Sequence, residues 1–225
     1  MTNEKDHVLD LIARQGVLPL FYEHSLHASE MVLEALYAGG TRVVEYTNRG
    51  HEALTNFKAL AAACNARLPG LVLGAGTIKN LREAQDFLSA GAKFIVSPVT
   101  VPQVGNFVAS KRILWIPGAM TPTEIMDGRE CGATLVKIFP AEVLGPAFLR
   151  SVRTIFPDLR FIPTGGVDLN RENLESWFKA GVAAVGIGSK LITKNIVQSS
   201  DWNKLADLTA DLLETIQMIR TEHNI

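Results

Sequence analysis

Eight short apolar runs rich in β-branched residues recur along the chain, at residues 16–21, 42–46, 71–75, 93–97, 112–116, 135–139, 160–163 and 183–187. Each is too short for a helix and reads as a strand. The stretches between them carry helical periodicity and recognisable ends. Leu33, Leu36 and Tyr37 share one helical face, which Gly39-Gly40 terminates. Asn80 is placed to cap a helix over 81–90 closed by Gly91, and Asn170 or Asp168 to cap one ending before Gly181. A last amphipathic helix is expected over 201–221. The runs repeat at roughly 20–30 residues, the length of a βα unit. No low-complexity linker or compositional break divides them. The pattern predicts an α/β fold, a single-domain (β/α)8 TIM barrel over 1–225 with its core at about 14–193.

The competing architecture is a doubly wound open sheet. Its dinucleotide fingerprint would have to be Gly74-Ala75-Gly76-Thr77-Ile78-Lys79, which lacks the third glycine and a following acidic residue on a second strand. With 225 residues, 47% of them hydrophobic, the chain is long enough to bury one large core. A net charge of −1 gives no reason to expect a nucleic-acid partner. No apolar run approaches the roughly 18 residues of a membrane span, so no membrane partner is expected. The first seven residues are polar and mixed in charge, unlike a signal peptide. Cys64 and Cys131 have no metal-ligand spacing and read as reduced thiols in the cytoplasm. No metal and no cofactor is expected.

Lys137 changes this picture most. It interrupts the apolar run Leu135-Val136-Lys137-Ile138-Phe139, where an ammonium costs several kcal/mol unless paired or neutral. A neutral amine is a nucleophile toward carbonyl carbon, so the position suits imine chemistry. The structural alternative is a strand-end lysine whose stem is buried and whose head reaches water. In a barrel, chemistry collects at the C-terminal ends of the strands. The sequence places there Glu45, Thr47 and Arg49, then Thr77, Ser97-Pro98, Pro117-Gly118, Lys137 and Phe139, Thr164-Gly165-Gly166, and Gly188-Ser189-Lys190. Alternation puts Glu45, Thr47 and Arg49 on one side of their segment, and Leu135, Lys137 and Phe139 on one side of theirs. If both sides face inward, Glu45 and Lys137 meet. Glu45 is then either a salt-bridge partner or a proton carrier. Arg49 is either a surface arginine or a fork for a carboxylate. The turns Pro163-Thr164-Gly165-Gly166-Val167 and Gly186-Ile187-Gly188-Ser189 follow the last two strands, where barrels often bind phosphate on backbone N–H groups.

Taken in order, these segments resemble the family of 2-keto-3-deoxy-6-phosphogluconate (KDPG) aldolases, also called 4-hydroxy-2-oxoglutarate (KHG) aldolases, over residues 8–193. The motifs are Gly39-Gly40 leading to Glu45-Tyr46-Thr47-Asn48-Arg49, Gly74-Ala75-Gly76-Thr77, Ser97-Pro98, and Pro117-Gly118 with Thr121-Pro122-Thr123-Glu124. Then come Lys137-Ile138-Phe139-Pro140-Ala141 with Gly145-Pro146, Pro163-Thr164-Gly165-Gly166-Val167, and Gly188-Ser189. The resemblance implies a metal-independent aldolase, a homotrimer of barrels, acting on a small keto-acid sugar phosphate. By position it makes Lys137 the imine former and Glu45 the general acid/base. Arg49 and Thr77 would hold the pyruvate carboxylate, Pro98 and Phe139 line the pocket, and Thr164 touch the hydroxyl region of the substrate. Gly165, Gly166, Gly188 and Ser189 would bind the phosphate.

Three positions depart from the family pattern. Asn48-Arg49-Gly50 stands where Leu-Arg-Thr is usual, Phe21-Tyr22-Glu23-His24 makes a bulkier first strand end, and Lys190 replaces an aromatic residue. Lys190 either adds charge to the phosphate cup or, by alternation from Ser189, points away from it. The departures leave open an aldolase for the 6-phosphogalactonate epimer. An isomerase or lyase that uses Lys137 as an electrophile would suit the same barrel, as would a non-catalytic sugar-phosphate binding protein. Two buried ionisable groups would give a mere binder nothing.

Overall fold

The computed structural model describes residues 4–225. All eight expected strands form: β1 (Val17–Phe21), β2 (Val43–Thr47), β3 (Val72–Gly76), β4 (Phe94–Val96), β5 (Leu114–Ile116), then, after the additional β6 (Gly118–Ala119), β7 (Leu135–Ile138), β8 (Arg160–Pro163) and β9 (Val185–Ile187). Pro117, which has no N–H for a ladder, separates β6 from β5, and the two strands belong to different sheets. Every strand pairing is parallel. Six strands form a sheet in the order β5-β4-β3-β2-β1-β9 and three form another in the order β6-β7-β8. A single parallel bridge from Thr164 to Gly186 joins the end of β8 to β9. The architecture is a single α/β domain of parallel strands with helices between them.

Helices begin where side chains satisfy their first free N–H groups. Ser25 caps α2 (Leu26–Ala38) and Asn80 caps α4 (Leu81–Ser89). Thr121 and Glu124 form a reciprocal capping box on α6 (Pro122–Glu130). Of the two candidate caps for α8 (Arg171–Ala180), Asn170 takes the role, and left-handed Gly181 ends the helix. Asp201 caps the C-terminal α10 (Trp202–His223), which packs on α2 and α8.

Two apolar clusters place the site. The larger lies between strands and helices. The smaller contains Leu18, Val43, Phe94, Val96, Leu114, Ile116, Leu135 and Ile162 from the strands, with Val8, Leu9 and Ile12 of α1 (Glu4–Gln15) packed onto them. That face is therefore filled with hydrocarbon, from Val43 and Leu135 at the starts of β2 and β7 to Val96 and Ile116 at the ends of β4 and β5. Val43 and Leu135 belong to it, so Glu45 and Lys137, two residues further along, point the same way. The glycines of β3 make room on this face. A Cβ at Gly74 would overlap the Phe94 ring, and one at Gly76 would overlap the Glu45 carboxylate.

Candidate active site

Glu45 and Lys137 come together as their alternation requires. Lys137 Nζ lies 3.9 Å from Glu45 Oε1, with the two residues 6% and 1% exposed. The separation is within ion-pair range and beyond a hydrogen bond. Glu45 Oε1 has no hydrogen-bond partner within the protein, an expensive state for a buried carboxylate oxygen. A reacting hydroxyl held between the two groups would satisfy both. The Phe139 ring centroid is 5.3 Å from Lys137 Nζ, close enough for a cation–π contact with the protonated amine. The Phe139–Pro140 peptide is cis.

Beside Phe139 opens a cavity of about 590 Å³, whose lining includes neither Glu45 nor Lys137. Phe139, Thr164, Gly165, Gly188 and Ser189 line it from the strand ends, and Arg49 lines it from the loop after β2. Arg49, together with Thr77, also lines an adjoining cleft of about 460 Å³. Thr77 has φ +60°, a left-handed conformation unfavourable for a β-branched residue, and strain of this kind gathers at functional turns. Thr164 is nearly buried, and its hydroxyl lies against Gly186, where no side chain would fit. Gly165 (φ +88°) and Gly166 (φ +69°) adopt conformations that suit glycine, and both pack against Glu142 at the start of α7 (Ala141–Ile155). Pro98 is half-buried, its carbonyl packed against Gly118. Neighbouring Ser97 is fully buried and accepts a hydrogen bond from Trp115 Nε1 at 3.0 Å, which fixes the loop.

Two of the unusual sequence positions explain each other. The Tyr22 hydroxyl occupies the place a side chain at residue 50 would fill, so bulk after β1 and glycine after Arg49 fit as one unit. Edge-on packing of Phe21 and Tyr46, at 5.2 Å between centroids, and donation from the Tyr46 hydroxyl to the Glu23 carbonyl hold this corner. Burial raises the Tyr46 phenol above its ordinary value, despite opposing hydrogen bonds from Asn56 and Ser29, so it stays a donor. Lys190 turns outward and pairs with Asp168 at 3.0 Å. That contact, helped by N–H groups of Asn170 and Leu169, holds the Asp168 carboxyl below its usual range against an opposing desolvation.

Sequence reasoning missed Tyr22, Glu23, Lys194 and Gln198 as cavity-lining residues. Lys194 and Gln198 lie on α9 (Lys194–Ser199), whose sequence signal is only the cap at Thr193. Among the described residues no cluster of His, Cys, Asp or Glu is arranged to hold a metal ion. Among them, too, no helix is long and apolar enough to cross a membrane.

The sequence matches the family described as KDPG and KHG aldolase over residues 9–208. It is 36% identical over 183 residues to a 2-dehydro-3-deoxy-phosphogluconate aldolase of Pseudomonas aeruginosa, covering 80% of each chain. It is 32% identical over 200 residues to the enzyme of that name from Pseudoalteromonas atlantica, covering 88% of this chain and 90% of the relative. Among solved structures it superposes on the KDPG aldolase of Legionella pneumophila with a TM-score of 0.82 at 29% identity, over 91% of this chain and 97% of that one. That crystal structure holds pyruvate as a covalent carbinolamine intermediate.

Proposed function

The chain belongs to the family of KDPG and KHG aldolases and is a carbon–carbon lyase, and on that premise we propose that it cleaves 2-keto-3-deoxy-6-phosphogluconate reversibly to pyruvate and glyceraldehyde 3-phosphate. The observation that carries the reading is the buried approach of Lys137 Nζ to Glu45 Oε1 at 3.9 Å. Lys137, having passed a proton to Glu45, adds to the C2 ketone; the carbinolamine hydroxyl takes that proton back and leaves as water, giving a protonated imine and a Glu45 carboxylate. Glu45 accepts the C4 hydroxyl proton. The C3–C4 bonding pair moves into the imine, leaving an enamine on Lys137 and an aldehyde at C4. Glu45 returns a proton to C3, and water hydrolyses the imine to release pyruvate and the free lysine.

Arg49 and Thr77 hold the carboxylate, Pro98 and Phe139 shape the pocket, and Thr164 faces the hydroxyl region. Gly165, Gly166, Gly188 and Ser189 receive the phosphate on N–H and hydroxyl donors. Fixing both ends orients the scissile bond and supplies much of the rate. KHG, cleaved to pyruvate and glyoxylate, has the same keto-acid end and would use the same Lys137 and Glu45.

The nine strands act as one closed (β/α)8 barrel. The bridge from Thr164 to Gly186 and the continuity of the chain through Pro117 support closure at both seams. One barrel domain then spans 1–225, with its core at about 14–193 and the C-terminal helix over 201–221 packed outside. The protein is a cytoplasmic homotrimer, a reading supported by two unpaired cysteines and by exposed Val99, Met120 and Met126 on the connections after β4 and β6.

Pyruvate release, coupled to a dehydrogenase, tests the assignment across gluconate-type, galactonate-type and unphosphorylated substrates. The gluconate-type phosphate ester should be cleaved fastest. Faster turnover of the galactonate type would reassign the epimer, and no pyruvate from any of them would overturn the reading.

A further inference from the structure

Lys190, the basic residue beside the glycine cup in sequence, is occupied by Asp168 on the outer surface. The cavity nevertheless has a cation on that side. Lys194 lines the same space as Gly165, Gly188 and Ser189, and has no carboxylate partner among the described residues. Its backbone is fixed. Leu191 and Ile192 both donate to the Gly188 carbonyl at 3.0 Å, the Thr193 hydroxyl caps Ile196 N at 3.2 Å, and Ile196 is buried. Gln198, one helical turn beyond, lines the cavity from the same face of α9. Arg49 lines the cavity from the loop after β2, whereas Lys194 belongs to the segment after β9. The acidic residues nearby are Glu23, which also lines the cavity and pairs with His24 at 2.6 Å, and Glu142 behind the glycine turn.

We propose that Lys194 is a specificity-determining residue that reads the terminal phosphate of the substrate, so that the cavity takes molecules anionic at both ends. This rests on the aldolase reading above. The ammonium rides on a flexible stem from a fixed helix, so it contacts the ester without contributing to the imine chemistry at Lys137. A half-exposed charge contact of this kind changes affinity by about tenfold.

The condensation direction isolates the effect, because pyruvate is common and only the aldehyde varies. With glyceraldehyde 3-phosphate, Lys194→Ala should lower kcat/KM by about tenfold, mostly through KM. With unphosphorylated glyceraldehyde it should match the wild type. Lys194→Arg should restore most of the loss, and Lys190→Ala should leave both substrates unchanged. Added salt should erode the wild-type preference for the phosphorylated aldehyde more than that of Lys194→Ala. Equal kcat/KM for Lys194→Ala and wild type on glyceraldehyde 3-phosphate, or an equal loss on both aldehydes, would overturn the assignment. Borohydride trapping of pyruvate on each variant separates this from the aldolase reading. A normal adduct on wild type with an unchanged Lys194→Ala profile refutes Lys194 alone, whereas a wild type that condenses neither aldehyde refutes the aldolase reading itself.

Discussion

The buried Glu45–Lys137 pair and the cavity beside it are built by different means. At the reacting end, ionisable side chains are buried on short central strands, and the tolerance for change is small: a methyl group at Gly76 would displace the Glu45 carboxylate. At the proposed phosphate end, the donors would be backbone N–H groups of glycine turns, with charge from exposed side chains such as Lys194, which lines the cavity with Gly165 and Gly188. Chemistry needs a fixed relation between two groups, and strands inside a packed sheet provide it. Recognition of a dianion needs several donors of modest individual strength, and loops provide those. Substitutions should therefore affect kcat at one end and KM at the other.

The largest expected effect is at the reacting end. Lys137→Arg should lower turnover by more than about 10³-fold while thermal unfolding stays cooperative, since the guanidinium keeps the charge beside Glu45 but offers no amine. Substantial residual activity would remove Lys137 from the chemistry. Next, Glu45→Gln should still form imine yet slow deuterium exchange at the pyruvate methyl by about 10²-fold. Exchange at the wild-type rate would mean that another group carries the proton.

Ser189→Ala should be milder and of the other kind, raising KM for the phosphorylated substrate by about tenfold with kcat nearly kept. A fall in kcat with KM unchanged would break the division between the two ends.

The meeting of Glu45 and Lys137 was legible in the sequence because a charge inside an apolar strand run has few bland explanations. Period-two alternation then placed Glu45 and Lys137 on a common face, and the pair is found there. Strand positions were equally legible, whereas the break at Pro117 was not, because a proline at the end of a run marks a boundary without saying whether pairing resumes. The distal end was only half legible. Glycine turns announce themselves, but Lys194 is one charge among 22 lysines and arginines. Its place in the cavity lining depends on where a six-residue helix folds back, which no local pattern encodes. Lys190 shows the converse: adjacency in sequence suggested the cup, and the alternation from Ser189 that pointed it outward agrees with its pairing to Asp168. Gly50 gave no readable signal either, because its reason is the Tyr22 ring across the mouth.

A control lies away from both ends, in the capping box of α6. Partial burial pushes the Glu124 carboxyl up, but N–H groups of Met120 and Thr121 and the Thr121 hydroxyl outweigh it and hold it below its usual range. A depressed folded-state value means the stabilisation is full above the ordinary carboxylate range and is lost as pH falls through the lower value. Thr121→Ala should cost about 1 kcal/mol near neutrality with kcat and KM unchanged. The difference in Tm between wild type and Glu124→Gln should narrow on acidification. A gap that widens at low pH would contradict the box as the source of that stability.

The most direct test of the account is covalent. Incubation with pyruvate and borohydride should add one reduced pyruvate per chain, and peptide mass mapping should place it on Lys137 alone. A label on a different lysine, or an unmodified protein under conditions where turnover is seen, would contradict the imine and with it the central claim.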